Sequence, residues 1–233
     1  MKLHLILLSA LAIAAPRPAA GADHKQPGLP SFGPGGNDPY FADVIFGDFD
    51  NDGWQDVVCV DRAELPGLNT YAHYNRNDHG TFRLLKTADT GLDAGGISAE
   101  ASDLNRDGLL DLFIAADPDN TGVALDIARY ESKVYWNTGE LGGKQNHWLH
   151  LTFTGLSHAE LIGARVELTA DGEKQHRWIH SNHSYKSGGA LDAHFGLGKA
   201  TIADVKVTLL NGNTQSFEKL TAEKSHLLTL TKP

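Results

Sequence analysis

Two stretches of the chain, FADVIFGDFDNDGWQDVVCV (residues 41–60) and ISAEASDLNRDGLLDLFIA (residues 97–115), share one polarity plan. A short half-apolar run leads into an acidic, glycine-containing loop, and the loop leads into an apolar, β-branched run. Runs of this length and composition predict strands, and the loop residues between them predict a turn. Setting Asp48 against Asp103 gives a period of 55 residues, the range of propeller blades. Each unit continues through a longer connection into an aromatic strand ending in asparagine, at residues 71–75 and 134–137. The first unit adds a Gly80-Thr81-Phe82 strand.

Around residue 145 the repeat stops and alternation takes over. Leu149, Leu151 and Phe153 fall on one face of a predicted strand, and Ala164, Val166 and Leu168 on one face of the next. Asp171-Gly172 predicts a tight hairpin into residues 174–180. Asn211-Gly212 predicts a second hairpin, between Val205-Val207-Leu209 and residues 214–220, and residues 226–231 supply a last strand. No stretch has the period of an amphipathic helix. The expected fold is all-β: partial β-propeller-like calcium-loop repeats over residues 40–144, then a small β-sandwich-like domain over residues 145–233.

The first 39 residues stand apart. Lys2, an apolar run from Leu3 to Ala15, a proline break and Ala20-Gly21-Ala22 have the order of a cleavable signal peptide, with the cut after Ala22. Residues 23–39 read as an irregular lead-in. Export is therefore expected, to a periplasmic, secreted or cell-surface location, with no membrane span, because the apolar run is short of the ~20 residues a span needs. Loss of residues 1–22 removes Lys2 and Arg17 and no acid, taking the net charge from −9 to −11. That surface argues against nucleic acid or anionic membrane as partner. The single cysteine, Cys59, sits in an apolar run and is expected to be buried; no intrachain disulfide can form.

Seven aspartates lie inside the two loops. Ca²⁺ takes six to eight oxygens, and a loop offering side-chain oxygens at positions 1, 3 and 5 wraps it if the backbone then turns sharply. Asp48, Asp50 and Asp52 hold those positions in the first loop, before Gly53; Asp103, Asn105 and Asp107 hold them in the second, before Gly108. The carbonyls of Trp54 and Leu109 are expected at position 7, and Asp56 and Asp111 at position 9. Two Ca²⁺ sites are thus expected. An EF-hand needs a carboxylate at position 12 and a helix on exit, but Cys59 and Ile114 stand there, inside strands. With four carboxylates against three and an amide, the first loop is expected to depend more on metal.

These loops resemble FG-GAP (VCBS) repeats, the calcium-loop blades of integrin α-chain propellers and many bacterial surface proteins. Residues 145–233 resemble the ASPIC/UnbV domain found after such repeats in proteins similar to cartilage acidic protein. The likeness there rests on Trp148-Leu149, Ile162-Gly163-Ala164-Arg165-Val166, Ser184-Tyr185-Lys186-Ser187, Phe195-Gly196-Leu197-Gly198 and Asn211-Gly212. The chain departs from the family at Ser157-His158-Ala159-Glu160, at Leu209-Leu210 and at Asn182-His183. It also has one full blade and a partial second, where closed rings have about four to eight. Blade edges are expected either to pack on the C-terminal domain or to drive self-association.

Eight of the twelve histidines lie beyond residue 145, and His176, His180 and His183 cluster, without an acid or cysteine at metal spacing. They read as surface histidines. Tyr185, between serines and near glycines, is a candidate exposed contact. No nucleophile elbow or metalloprotease motif is present. The function expected is a binding or adhesion module for a protein or carbohydrate ligand, with calcium structural. The alternative is an enzyme or biosynthetic accessory using the C-terminal His/Ser/Tyr region.

Overall fold

The computed structural model describes residues 41–61, 72–116, 131–182, 184–185 and 188–232. The expected signal peptide and lead-in, and the positions of Tyr71, His183, Lys186 and Ser187, lie outside the described residues. The chain is all-β. Strands β1 (Phe41–Gly47), β2 (Asp56–Asp61), β3 (His73–Asp78) and β4 (Thr81–Leu84) form one antiparallel sheet in chain order. A single helical turn, α1 (Thr87–Thr90), leads to the second sheet, of β5 (Ser98–Ser102), β6 (Asp111–Ala115) and β7 (Lys133–Tyr135). Each acidic loop joins the first two strands of its sheet, as the period requires.

Burial explains the strand sequences. Val57, Val58, Cys59 and Val60 of β2 are all buried, so this strand is covered on both faces and reads as a continuous apolar run. In β6 the pattern alternates, with Leu112 and Ile114 inward and Phe113 outward. The two sheets share one core built on Ile45, Val58, Val60, Tyr74, Leu112 and Ile114. Burial pushes the Cys59 thiol up to about 11, so it is a packing residue.

The C-terminal part is a two-layer sandwich. One layer is ordered β10 (Glu173–Trp178), β9 (Arg165–Ala170), β12 (Ile202–Thr208), β13 (Thr214–Thr221); the other is β11 (Ala193–Gly198), β8 (His147–Thr154), β14 (Lys224–Thr229). Leu149, Leu151, Val166, Leu168, Phe195 and Val205 fill the space between them. The Asp171-Gly172 hairpin is present, with both residues left-handed (φ 49° and 85°), as a two-residue turn of matching twist demands. At Asn211-Gly212 only the glycine is left-handed, and Gly212 N donates to Leu209 O at 2.9 Å; Leu209 is thus a turn residue, not part of the strand. Strand β10 likewise stops at Trp178, short of His180. Strand β14 runs parallel to β8. The Ser157–Glu160 departure is a capped turn: Glu160 accepts from Ser157 N at 2.9 Å and Ser157 Oγ at 2.7 Å, opening α2 (His158–Leu161).

Candidate metal centre

The two loops fold alike, bond for bond. The position-1 aspartate accepts from two backbone amides in each. Asp48 takes Asp52 N (3.1 Å) and Gly53 N (2.9 Å), and Asp103 takes Asp107 N (3.0 Å) and Gly108 N (3.0 Å). Position 3 (Asp50 or Asn105) accepts from the same position-5 amide. Position 5 accepts from position 7, Trp54 N to Asp52 and Leu109 N to Asp107. Position 9 closes each loop by accepting from position 2, Phe49 N to Asp56 and Leu104 N to Asp111. Left-handed residues at position 4 (Asn51 φ 57°, Arg106 φ 63°) and position 6 (Gly53 φ 99°, Gly108 φ 87°) make the curl.

An asparagine anchors each loop from outside. Asn77 N donates to Asp56 at 2.7 Å and Asn137 N to Asp111 at 2.8 Å. Both side-chain amides return to backbone carbonyls beside the loop, those of Gln55 and Leu110 respectively. The residue equivalent to Asn137 is therefore Asn77 and not Asn75, which the strand pattern pointed to. The first aromatic strand runs two residues further before its asparagine reaches the loop.

The loops differ in environment. Asp48, Asp50 and Asp56 are at most 1% exposed, and an oxygen of each lies within 4.8 Å of the others, so the three can hold a metal ion. Asp52 is half-buried and turned to its own loop backbone. Trp54 exposes its ring, against His79. In the second loop Asp111 is buried, but Asn105 and Asp107 are exposed and Asn105 Nδ2 donates to Asp107 at 2.9 Å. Among the described residues, the only such three-carboxylate group is in the first loop. Leu109 is buried beneath Gly139 and Gly143.

Burial of like charges shows in the electrostatics. Desolvation pushes Asp48 well above the usual carboxylate range, Asp50 up to about 6 and Asp56 up to about 7, with neighbouring carboxylates adding to each. Two arginines oppose this. Arg76 Nη2 lies 2.6 Å from Asp50, and Arg177 acts on Asp48. Neither was singled out by the sequence, since each lies far along the chain from the loop it serves.

The C-terminal domain supplies what buries the first loop. Gly198 N donates to Asn51 O (2.9 Å), His194 Nε2 meets Asn51 Oδ1 (2.9 Å), and Asn146 Nδ2 donates to Asp50 O (2.9 Å). Gly196 lies so close that a Cβ there would be 2.1 Å from Asp48 Oδ2. Asn51 Nδ2 in turn reaches Gly108 O of the second loop (2.9 Å), and Trp148 covers Gly108. The FGLG string thus packs directly on the first acidic loop.

Elsewhere, of the expected cluster His176, His180 and His183, the last lies outside the described residues. His176 sits 3.7 Å from Glu167, while His150 and His194 lie together, ring centroids 6.4 Å apart. His150 bonds Asp192 through Nε2 (3.0 Å) and Ser225 through Nδ1 (3.2 Å). Tyr185 is exposed, and Phe195 is core.

Residues 48–114 match the family model of the FG-GAP-like repeat, and residues 155–233 match that of ASPIC and UnbV. No curated protein matches the chain.

Proposed function

We propose that this FG-GAP repeat protein with a C-terminal ASPIC/UnbV domain is a calcium-dependent binding module acting outside the cytoplasm, in which Ca²⁺ at the first loop clamps the repeat to the C-terminal domain. The observation that carries this reading is the trio Asp48, Asp50 and Asp56, buried side by side at the domain junction. Burying several carboxylates together is costly unless a cation offsets it, and arginine reaches only part of the group. Oxygen-only donors suit a hard ion such as Ca²⁺ rather than zinc or copper. The second loop, more exposed and less charged, is assigned the weaker Ca²⁺ site. Calcium acts here as a structural staple, leaving ligand contact to the surfaces it holds together.

Calorimetric titration of chelator-treated protein with Ca²⁺ tests the reading. Binding at the first loop is expected, abolished by Asp50→Ala and retained, weakened at most, in Asp107→Ala. Absence of binding by the unmodified chain, or equal binding by Asp50→Ala, sinks it.

A second reading has one observation behind it: the Asp192–His150–Ser225 line of hydrogen bonds has the composition of an acyl-transfer triad. Ser225 stands on a regular, exposed strand rather than the strained turn that activates such a serine. Hydrolysis of p-nitrophenyl acetate that disappears in Ser225→Ala would establish it; equal rates in both proteins would remove it.

A further inference from the structure

Between the repeat and the C-terminal domain lies a cleft of about 390 Å³, within the range of small-molecule sites. Residues 44–47 and 100–103 form one wall; the opposite wall carries His176 and Trp178 of β10, with Asp192 and His194 beside them. Asp48 and Asp103, the first residues of the two acidic loops, border it as well.

His194 is the informative residue. Asn51 donates its amide to Gly108 O, so Asn51 Oδ1 accepts, and His194 Nε2 carries the proton between them. Nδ1 then bears a lone pair. It is buried, and it has no hydrogen-bond partner among the described residues. Desolvation pushes His194 down to about 3, so the ring stays neutral and the lone pair persists at every physiological pH. A buried acceptor without a donor is a cost that a ligand hydroxyl removes.

The rest of the cleft narrows the chemistry. Glu100, Asp103 and Asp192 line it, and among the described residues Arg177 is the one arginine or lysine that does. Anions are therefore disfavoured, while hydroxyl donors find acceptors. Trp178, tilted against His176 at 6.3 Å, offers an aromatic wall for a C–H face. Among the described residues no cleft histidine belongs to a metal group; the one such group is Asp48, Asp50 and Asp56, of which Asp48 alone borders the cleft.

We propose that this cleft binds a neutral polyhydroxylated molecule of mono- to disaccharide size. Its hydroxyls donate to His194 Nδ1 and to the Asp192 and Glu100 carboxylates, and its C–H face lies on Trp178. The proposal rests on the binding-module reading, because the first loop fixes the two walls against each other.

The test is calorimetry on the full chain in saturating Ca²⁺. The neutral probes are glucose, galactose, mannose, N-acetylglucosamine and maltose; glucuronate and glucosamine are their charged comparisons. At least one neutral sugar is expected to bind at ~1 mM or tighter. Trp178→Ala should weaken it at least tenfold and Trp178→Phe should restore most of it, while Trp136→Ala, at an exposed ring outside the cleft, leaves it unchanged. No sugar binding, unchanged binding by Trp178→Ala, or preference for a charged analogue over its neutral parent overturns the proposal. A Ca²⁺ titration of the same preparation after chelator treatment separates the failures: calcium heat without sugar heat sinks this proposal alone, and absent calcium heat sinks the metal reading.

Discussion

Position 4 of each loop shows how much one residue's surroundings decide. Asn51 and Arg106 occupy the same left-handed backbone site. Asn51 uses both ends of its amide, to Gly108 O and to His194, and is fully buried. Arg106 is exposed and bears the strain without that return. Asn51→Ala should therefore destabilise by about 2–4 kcal/mol, from two lost hydrogen bonds, one orphaned carbonyl and a disfavoured φ. Arg106→Gly should stabilise by up to about 1 kcal/mol, since glycine adopts this φ without penalty. Urea unfolding of both variants in calcium buffer measures the contrast; a loss in Arg106→Gly as large as in Asn51→Ala would contradict it. Reading odd loop positions for metal oxygens finds Asp48, Asp50 and Asp56 but passes over Asn51, whose partners lie 57 and 143 residues away.

At the scale of the element, the nine-residue loop was legible because its geometry is local: the turn glycines and acceptor positions all lie within one short segment. What anchors it was not. Asn77 and Asn137 follow Asp56 and Asp111 by different intervals, so no fixed spacing marks them. Strand β11 was visible only as a motif, since its two glycines carry no alternation; Gly196 permits the approach to Asp48, and Gly198 is left-handed (φ 56°). The loop's electrostatics give a pH dependence with a definite sign. Without metal, Asp50 titrates at about 6 and Asp56 at about 7, above the ~3.9 of aspartate in an unfolded chain. The folded state then holds more protons than the unfolded state across that interval. The loop's contribution to stability therefore falls as pH rises from about 4 to 7 and levels off above. Calcium must displace those protons, so its affinity rises over the same interval. Melting temperatures with Ca²⁺ and with chelator should diverge from pH 4.5 to 7.5. In Asp56→Asn the divergence should shrink, and a constant gap in the unmodified protein would refute the assignment.

At the scale of the whole molecule, the described residues form two apolar cores and a polar joint. One core draws on residues 45–114 and the other on residues 149–230, and among the described residues no buried apolar residue belongs to both. What connects them at the first loop is hydrogen bonds to Asn51 and Asp50 and the close seat of Gly196. Sequence patterning reveals each core, because alternation reports burial within a sheet. It is silent on the joint, whose contacts are made by backbone and short polar groups. Such a joint holds only while the loop keeps its shape, and the loop's shape depends on neutralising Asp48, Asp50 and Asp56. Chelation should therefore open the joint before either core melts. Hydrogen exchange is expected to quicken together at residues 51–53 and 196–198, while amides of β2 and β9 stay protected. Gly196→Val should produce the same pattern even in calcium, because its side chain meets Asp48 and Asn51 at distances that no rotamer relieves. If residues 196–198 stay protected when 51–53 exchange freely, the joint does not depend on the loop, and calcium serves the repeat alone.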